Sequence, residues 1–174
     1  MEVCNVKFHC TVLKKHFTTY YRELYKTDLA IKRFPSFCVL RFQGTKFVFN
    51  CYYTGYLNVT GVRNLEGISV ALDVLCHFLN LPQNVFGNVT VDNISARCNK
   101  LSHKCVILQE KKLRINHEEI KSIKYRREVF PNMFIKTDYG TIIWSAKNRV
   151  TCVGIKKEQH LTNLLSLICQ IDAA

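Results

Sequence analysis

The chain has 174 residues, 48% of them hydrophobic, enough to close one sizeable core or two small repeats sharing one. Seven glycines and three prolines are too few for long disordered linkers, and no apolar run reaches the length of a membrane span. A formal charge of +12 points to an anionic partner, nucleic acid before acidic lipid, and the N-terminus lacks a signal-peptide pattern.

The first predicted element is a partly alternating strand, Val3 to Leu13. A polar, helical stretch follows in KHFTTYYRELYKTDL. Three strands come next, Phe34–Phe42, Lys46–Tyr52 and Tyr56–Thr60, with turns at Gln43-Gly44 and Thr54-Gly55. In LEGISVALDVLCHFLN, residues Leu65, Ile68, Leu72, Leu75, Cys76 and Leu79 recur at helical spacing. Pro82 to Gly87 has the composition of a boundary.

The same order then repeats. A strand covers Val89 to Cys98, and NHEEIKSIKYRRE reads as a polar helix. Strands Phe130–Lys136, Thr141–Ser145 and Arg149–Val153 follow, turning at 138–140 and 146–148. Leu161, Leu164, Leu165, Ile168 and Ile171 mark a closing amphipathic helix. Asn5 lies over Asn93, Phe34-Pro35 over Phe130-Pro131 and Gly61 over Gly154, a period of about 90 residues, too long for a solenoid. The expected organisation is a first repeat over 1–83, a linker over 84–88 and a second repeat over 89–174.

Nine cysteines, an odd number, form no Cys-x-x-Cys pair and no zinc-spaced Cys/His cluster. Cys38 and Cys76 sit among apolar neighbours, as small core residues do, which fits a reducing, intracellular setting. Without a signal peptide, the glycosylation sequons at Asn58, Asn88 and Asn93 are chance matches. Six dispersed histidines, no nucleophile–base order, no paired carboxylates and no phosphate loop leave no catalytic residues, metal ligands or cofactor site to nominate. Two meanders, each with two helices, imply an α+β fold. One curved antiparallel sheet would run through both repeats, with four helices on one face and the other face open for a ligand.

The order strand–helix–meander–helix, twice, resembles the TATA-box-binding protein family. The anchors are Asn5 and Asn93 in the first strand of each repeat, the segments KRFP and EVFP, and GYLNVTGVR with its weaker counterpart RVTCVGIK. Together they cover residues 3–172. The family's repeat has a further short strand that the sequence does not place, so the resemblance implies a ten-stranded sheet. The resemblance implies a saddle whose concave sheet binds the DNA minor groove and bends the duplex, with aromatic wedges kinking base steps and Asn and Thr reading acceptors.

Carried over, the wedges fall on Phe34 and Tyr52, which would pair across the hairpin, and on Phe130 in repeat two. The second wedge of repeat two falls on Ser145, or on Trp144 if a one-residue bulge intervenes. The minor-groove floor comprises Asn5, Asn93, Thr60, Asn50, Asn58, Lys7, Ser95 and Val153. Val153 replaces the family's second central Thr, Lys7 and Ser95 replace Val, and Asn50 and Asn58 make the floor more polar. Polar groups there could read the guanine amino edge or bridging water in place of an A·T-rich groove. Lys32, Arg33, Arg41, Lys46, Arg63, Lys136, Arg149 and Lys156 flank the floor strands as phosphate partners.

The resemblance implies a non-enzymatic, nuclear transcription initiation factor, or one of a viral cytoplasmic factory. It would be a monomer or weak homodimer on double-stranded DNA. General transcription factors and RNA polymerase would dock on the convex helices and stirrup loops. The alternatives are a protein-interaction scaffold, or an RNA- or hybrid-binding module, on the same fold without kinking.

Overall fold

The computed structural model describes residues 1–98, 118–126, 128–129, 131–145 and 149–173. Phe130 and the turn at 146–148 lie outside the described residues. The chain divides into two compact units. One is Asn5–Asp92; the other combines Met1–Cys4 with Asn93–Ala174. They are called here the first and second units.

In the first unit β1 (Glu2–Val12) leads through a 3-10 turn (Lys14–His16) to α1 (Phe17–Lys26). Then come β2 (Ala30–Arg33), β3 (Phe37–Leu40), β4 (Val48–Tyr52), β5 (Tyr56–Val62) and α2 (Gly67–Phe78). β6 (Phe86–Cys98) starts inside the expected linker and carries the chain into the second unit. There β7 (Ile120–Lys124), β8 (Asn132–Thr137), β9 (Thr141–Ser145), β10 (Val150–Ile155) and α3 (Glu158–Ala173) follow. The ten strands make one sheet in the order β2-β3-β4-β5-β1-β6-β10-β9-β8-β7. Three α-helices stand among the described residues, where four were expected.

Two expectations change. Within the segment NHEEIKSIKYRRE, expected as a helix, Ile120–Lys124 form a strand, β7, paired antiparallel with β8. The expected strand Phe34–Phe42 shortens to β3, and its first residues form a turn closed by Phe34 N–H donating to the Phe37 carbonyl at 2.8 Å, with β2 lying before it. β2 and β7 end the sheet order and supply the short strands that the sequence alone did not place. Their charged residues (Lys32, Arg33, Lys121, Lys124) suit edges, where charge deters pairing with another chain.

Alternation sorts each strand into a buried and an open face. Val6, Phe8 and Cys10 of β1, Phe49 and Cys51 of β4, and Leu57, Val59 and Val62 of β5 are buried, with α2 against β5. In the second unit Met133, Ile135, Ile142, Trp144, Val150, Cys152 and Ile155 are buried, with α3 against β10. Burial pushes the Cys10 and Cys152 thiols up to about 12, so they pack as inert apolar groups.

β5 and β10 each carry the same irregularity. Val6 faces Val62 and Phe8 faces Val59, so three steps on β5 oppose two on β1. Likewise Ile94 faces Ile155 and Ala96 faces Cys152. The extra residue falls at Thr60-Gly61 and at Val153-Gly154, with φ of 92° at Gly61 and 77° at Gly154. A Cβ on Gly61 would lie 2.0 Å from the Lys46 carbonyl oxygen, whereas one on Gly154 meets nothing within 4 Å. Gly61→Ala therefore adds a backbone clash to the left-handed penalty. It should cost about 3 kcal/mol or more, against about 1–2 kcal/mol for Gly154→Ala. Urea unfolding of both variants checks the order; equal losses would mean that the close approach at Lys46 relaxes freely.

Candidate nucleic-acid interface

The open face of the first unit is built from side chains that alternate with its core. Asn5, Lys7, His9 and Thr11 come from β1, Phe37 and Val39 from β3, Asn50 and Tyr52 from β4, and Tyr56, Asn58 and Thr60 from β5. In the second unit the same parity selects Asn93, Ser95 and Arg97, then Asn132, Phe134 and Lys136, then Thr141, Ile143 and Ser145, then Thr151 and Val153. Each of the eight residues expected on the floor lies on the open face of its own unit, and none is core.

The two asparagines are fixed by the bulges. Gly61 N–H donates to Asn5 Oδ1 at 2.8 Å, and Thr60 Oγ1 donates to the same oxygen at 3.2 Å. Gly154 N–H donates to Asn93 Oδ1 at 2.5 Å, and Asn93 Nδ2 donates to Ser95 Oγ at 3.1 Å. A backbone N–H can only donate, so the amide oxygen must face it in both cases. The NH₂ group is left toward the open face. Asn5 Nδ2 has no acceptor among the described residues, and Asn93 Nδ2 has a second proton beyond the one given to Ser95. Asn50 and Asn58 face each other across β4 and β5 with no comparable lock.

An aromatic column stands beside these polar groups. Phe34 stacks on Phe37 at 4.4 Å between centroids and Phe37 on Tyr52 at 5.0 Å. Tyr52 meets Tyr56 edge-on at 5.6 Å, and Tyr56 stacks with His9 at 5.2 Å. His9 Nδ1 lies 2.6 Å from Asp92 Oδ1. Burial, then the Asp92 carboxylate, pushes the Tyr56 phenol up, so it stays a protonated donor. Phe34 and Tyr52 therefore do not touch directly: Phe37 is the cross-strand partner of Tyr52 and stands between them. Lys32 Nζ sits 5.0 Å from the Phe34 ring centroid, capping the column with a cation.

Trp144 is not on this face. β9 pairs with β10 in unbroken register, Val150 with Trp144 and Thr151 with Ile143, so no bulge turns it outward. The indole is fully buried on the helix side, and its Nε1 has no acceptor among the described residues. Ser145 takes the open-face position opposite Asn132. Phe134 is an aromatic side chain on the open face of the second unit.

All eight expected phosphate partners are exposed, though not equally free. The Arg33 guanidinium donates to the Leu24 carbonyl at 3.4 Å, the Tyr53 hydroxyl at 3.4 Å and the Thr27 carbonyl, which ties down the end of α1. It is a structural arginine first. Lys7, Lys136 and Arg97 project from the open face itself. Sequence reasoning misses Phe37, Tyr56, His9 and Arg97. Phe37 was legible, because Phe37 and Val39 alternate with buried Cys38 and Leu40 once the turn at 34–36 is recognised.

No protein-family profile matches the sequence, and no curated protein matches it either. The structure is similar to that of Methanococcus jannaschii TBP, with a TM-score of 0.71 over 99% of this chain and 97% of that one. The two share 16% sequence identity. The chain therefore has the TATA-binding-protein fold.

The asparagine locks make a stability claim that needs no ligand. Asn5→Ala leaves the Gly61 N–H without its acceptor and should cost about 1–3 kcal/mol in urea unfolding. Asn5→Asp keeps an oxygen in place and should recover most of that loss. If both variants are equally destabilised, the oxygen is not what holds the bulge.

Proposed function

We propose that the chain is a transcription initiation factor that binds double-stranded DNA, laying the open sheet face in the minor groove and bending the duplex. The observation that carries this reading is the pair of asparagine locks. Each bulge consumes an amide oxygen and leaves an amide donor on the open face, once in each unit. Every base pair offers acceptors in the minor groove, the adenine N3 and thymine O2 among them, so fixed donors suit that edge. The +12 charge and the exposed Lys and Arg residues around the floor strands supply phosphate contacts. The shared fold with an archaeal TBP supports the same direction.

In this reading Phe34, Phe37 and Tyr52 are the kinking group. Stacked face to face, their rings present edges, the shape of a wedge for a base step. Their filled faces offer little to unpaired bases, which argues against an RNA-binding module that stacks single-stranded bases. Phe130 is the remaining wedge candidate in the second repeat. With Ser145 where a second wedge was expected there, kinking is concentrated at the end bound by the first unit. General transcription factors and polymerase would dock on α2 and α3, in the nucleus or a viral factory. A scaffold that no longer kinks DNA is the second reading, favoured by the inward turn of Trp144.

Energy transfer across an end-labelled duplex tests the kink. Wild type should bend DNA, and Phe34→Ala and Phe37→Ala should each lower both the bend and the affinity, the latter about tenfold. That figure matches a few kcal/mol of unstacking that the missing ring no longer repays in full. Tight binding to a straight duplex would favour the scaffold.

The cationic rim makes a separate prediction. Replacing Lys32, Lys46 and Arg63 by Ala should weaken binding to all duplexes alike and flatten the logarithmic salt slope by about one per lost contact. A slope equal to wild type would remove these three residues from the phosphate path.

A further inference from the structure

We propose that His9 is a specificity residue: held by Asp92, its ring presents an acceptor that selects a guanine amino group in the minor groove. This rests on the duplex-binding reading above.

The minor groove carries one donor that distinguishes base pairs, the exocyclic amino group of guanine. Favouring G·C requires a fixed acceptor on the protein face. The locked asparagines cannot supply it. Asn5 Oδ1 is taken by Gly61 N–H and the Thr60 hydroxyl, and Asn93 Oδ1 by Gly154 N–H. Asn50 and Asn58 carry no such lock, so either end of each amide can face a base, which gives no preference.

His9 differs. Its Nδ1 lies 2.6 Å from Asp92 Oδ1. An ionised carboxylate only accepts, so Nδ1 bears the proton, and in the neutral ring Nε2 is then a lone-pair acceptor. Nδ1 adjoins the carbon that joins the ring to the chain, whereas Nε2 lies across the ring. Nε2 has no partner among the described residues. The ring plane is set by stacking on Tyr56 at 5.2 Å. His9 belongs to the open-face row Asn50–Asn58–His9, in which each residue is the cross-strand partner of the next. The charged and titratable groups facing it are Asp92 from β6, the Tyr56 phenol from β5 and Lys7 two residues along β1.

A protonated ring donates from both nitrogens. Such a ring would repel the guanine amino group, so holding the single proton on Nδ1 is what makes the ring selective. Asp92 also keeps the ring from turning over, since rotation would break the bond to Nδ1.

The test uses the full chain and a bound duplex in which each base pair in turn is made G·C or inosine·C. Inosine lacks only the amino group in question. At least one position should bind about fivefold tighter as G·C than as inosine·C, the value of one net hydrogen bond. The ratio should fall to near one in His9→Phe, which keeps an aromatic ring on Tyr56. A ratio near one at every position for wild type overturns the proposal, as does a ratio that survives His9→Phe. Wild type that binds no duplex at all overturns the duplex-binding reading and this inference together. Binding without discrimination overturns this inference alone.

Discussion

The hydrogen bond from a bulge glycine to an asparagine oxygen fixes most of what the open face can do. At Gly61 and Gly154 the strand takes one extra step, which only a left-handed residue tolerates cheaply. The N–H freed from the ladder needs an acceptor, and Asn5 and Asn93 provide it. The same bond sets the register of the first strand against the last of each meander. Register in turn decides which side chains are core, since a slip of one residue exchanges the two faces. Packing and presentation of donors thus follow from one contact, used twice.

Much of this was legible because the repeat imposes it. Asn and Gly recur at matched places in both halves, and neither is a favoured strand residue, so their coincidence signals a backbone need beyond propensity. β7 was not legible. Its segment carries Glu118, Glu119, Lys121 and Lys124 around two isoleucines, a composition as suited to a helix as to an exposed edge strand. Only pairing with β8 decides between them. Trp144 and Ser145 present a similar ambiguity, since adjacent residues in a strand always point opposite ways and the unbroken β9–β10 register selects which is buried. His9 carries no sequence signal, because its chemistry comes from Asp92, distant along the chain.

The two units have diverged in opposite senses on a common frame. The first has an aromatic column, a hydrogen bond between His9 and Asp92 and a bulge packed tightly against Lys46. The second keeps the lock and loosens what surrounds it. Gly154 has open space where Gly61 has none, and Val153 stands where Thr60 lends a hydroxyl to the asparagine.

The placement of the indole has an optical consequence. Trp144 is the only tryptophan and lies wholly inside the second unit. Tyr20, Tyr21, Tyr25, Tyr52, Tyr53 and Tyr56 belong to the first unit, and Tyr125 and Tyr139 to the second. Red-edge excitation therefore sees the interior of one unit alone, while phenol absorbance is weighted toward the other. Because the indole is fully buried and not on the open face, a ligand on that face has no direct route to quench it. A change in its emission on binding would report a rearrangement of the second unit's core.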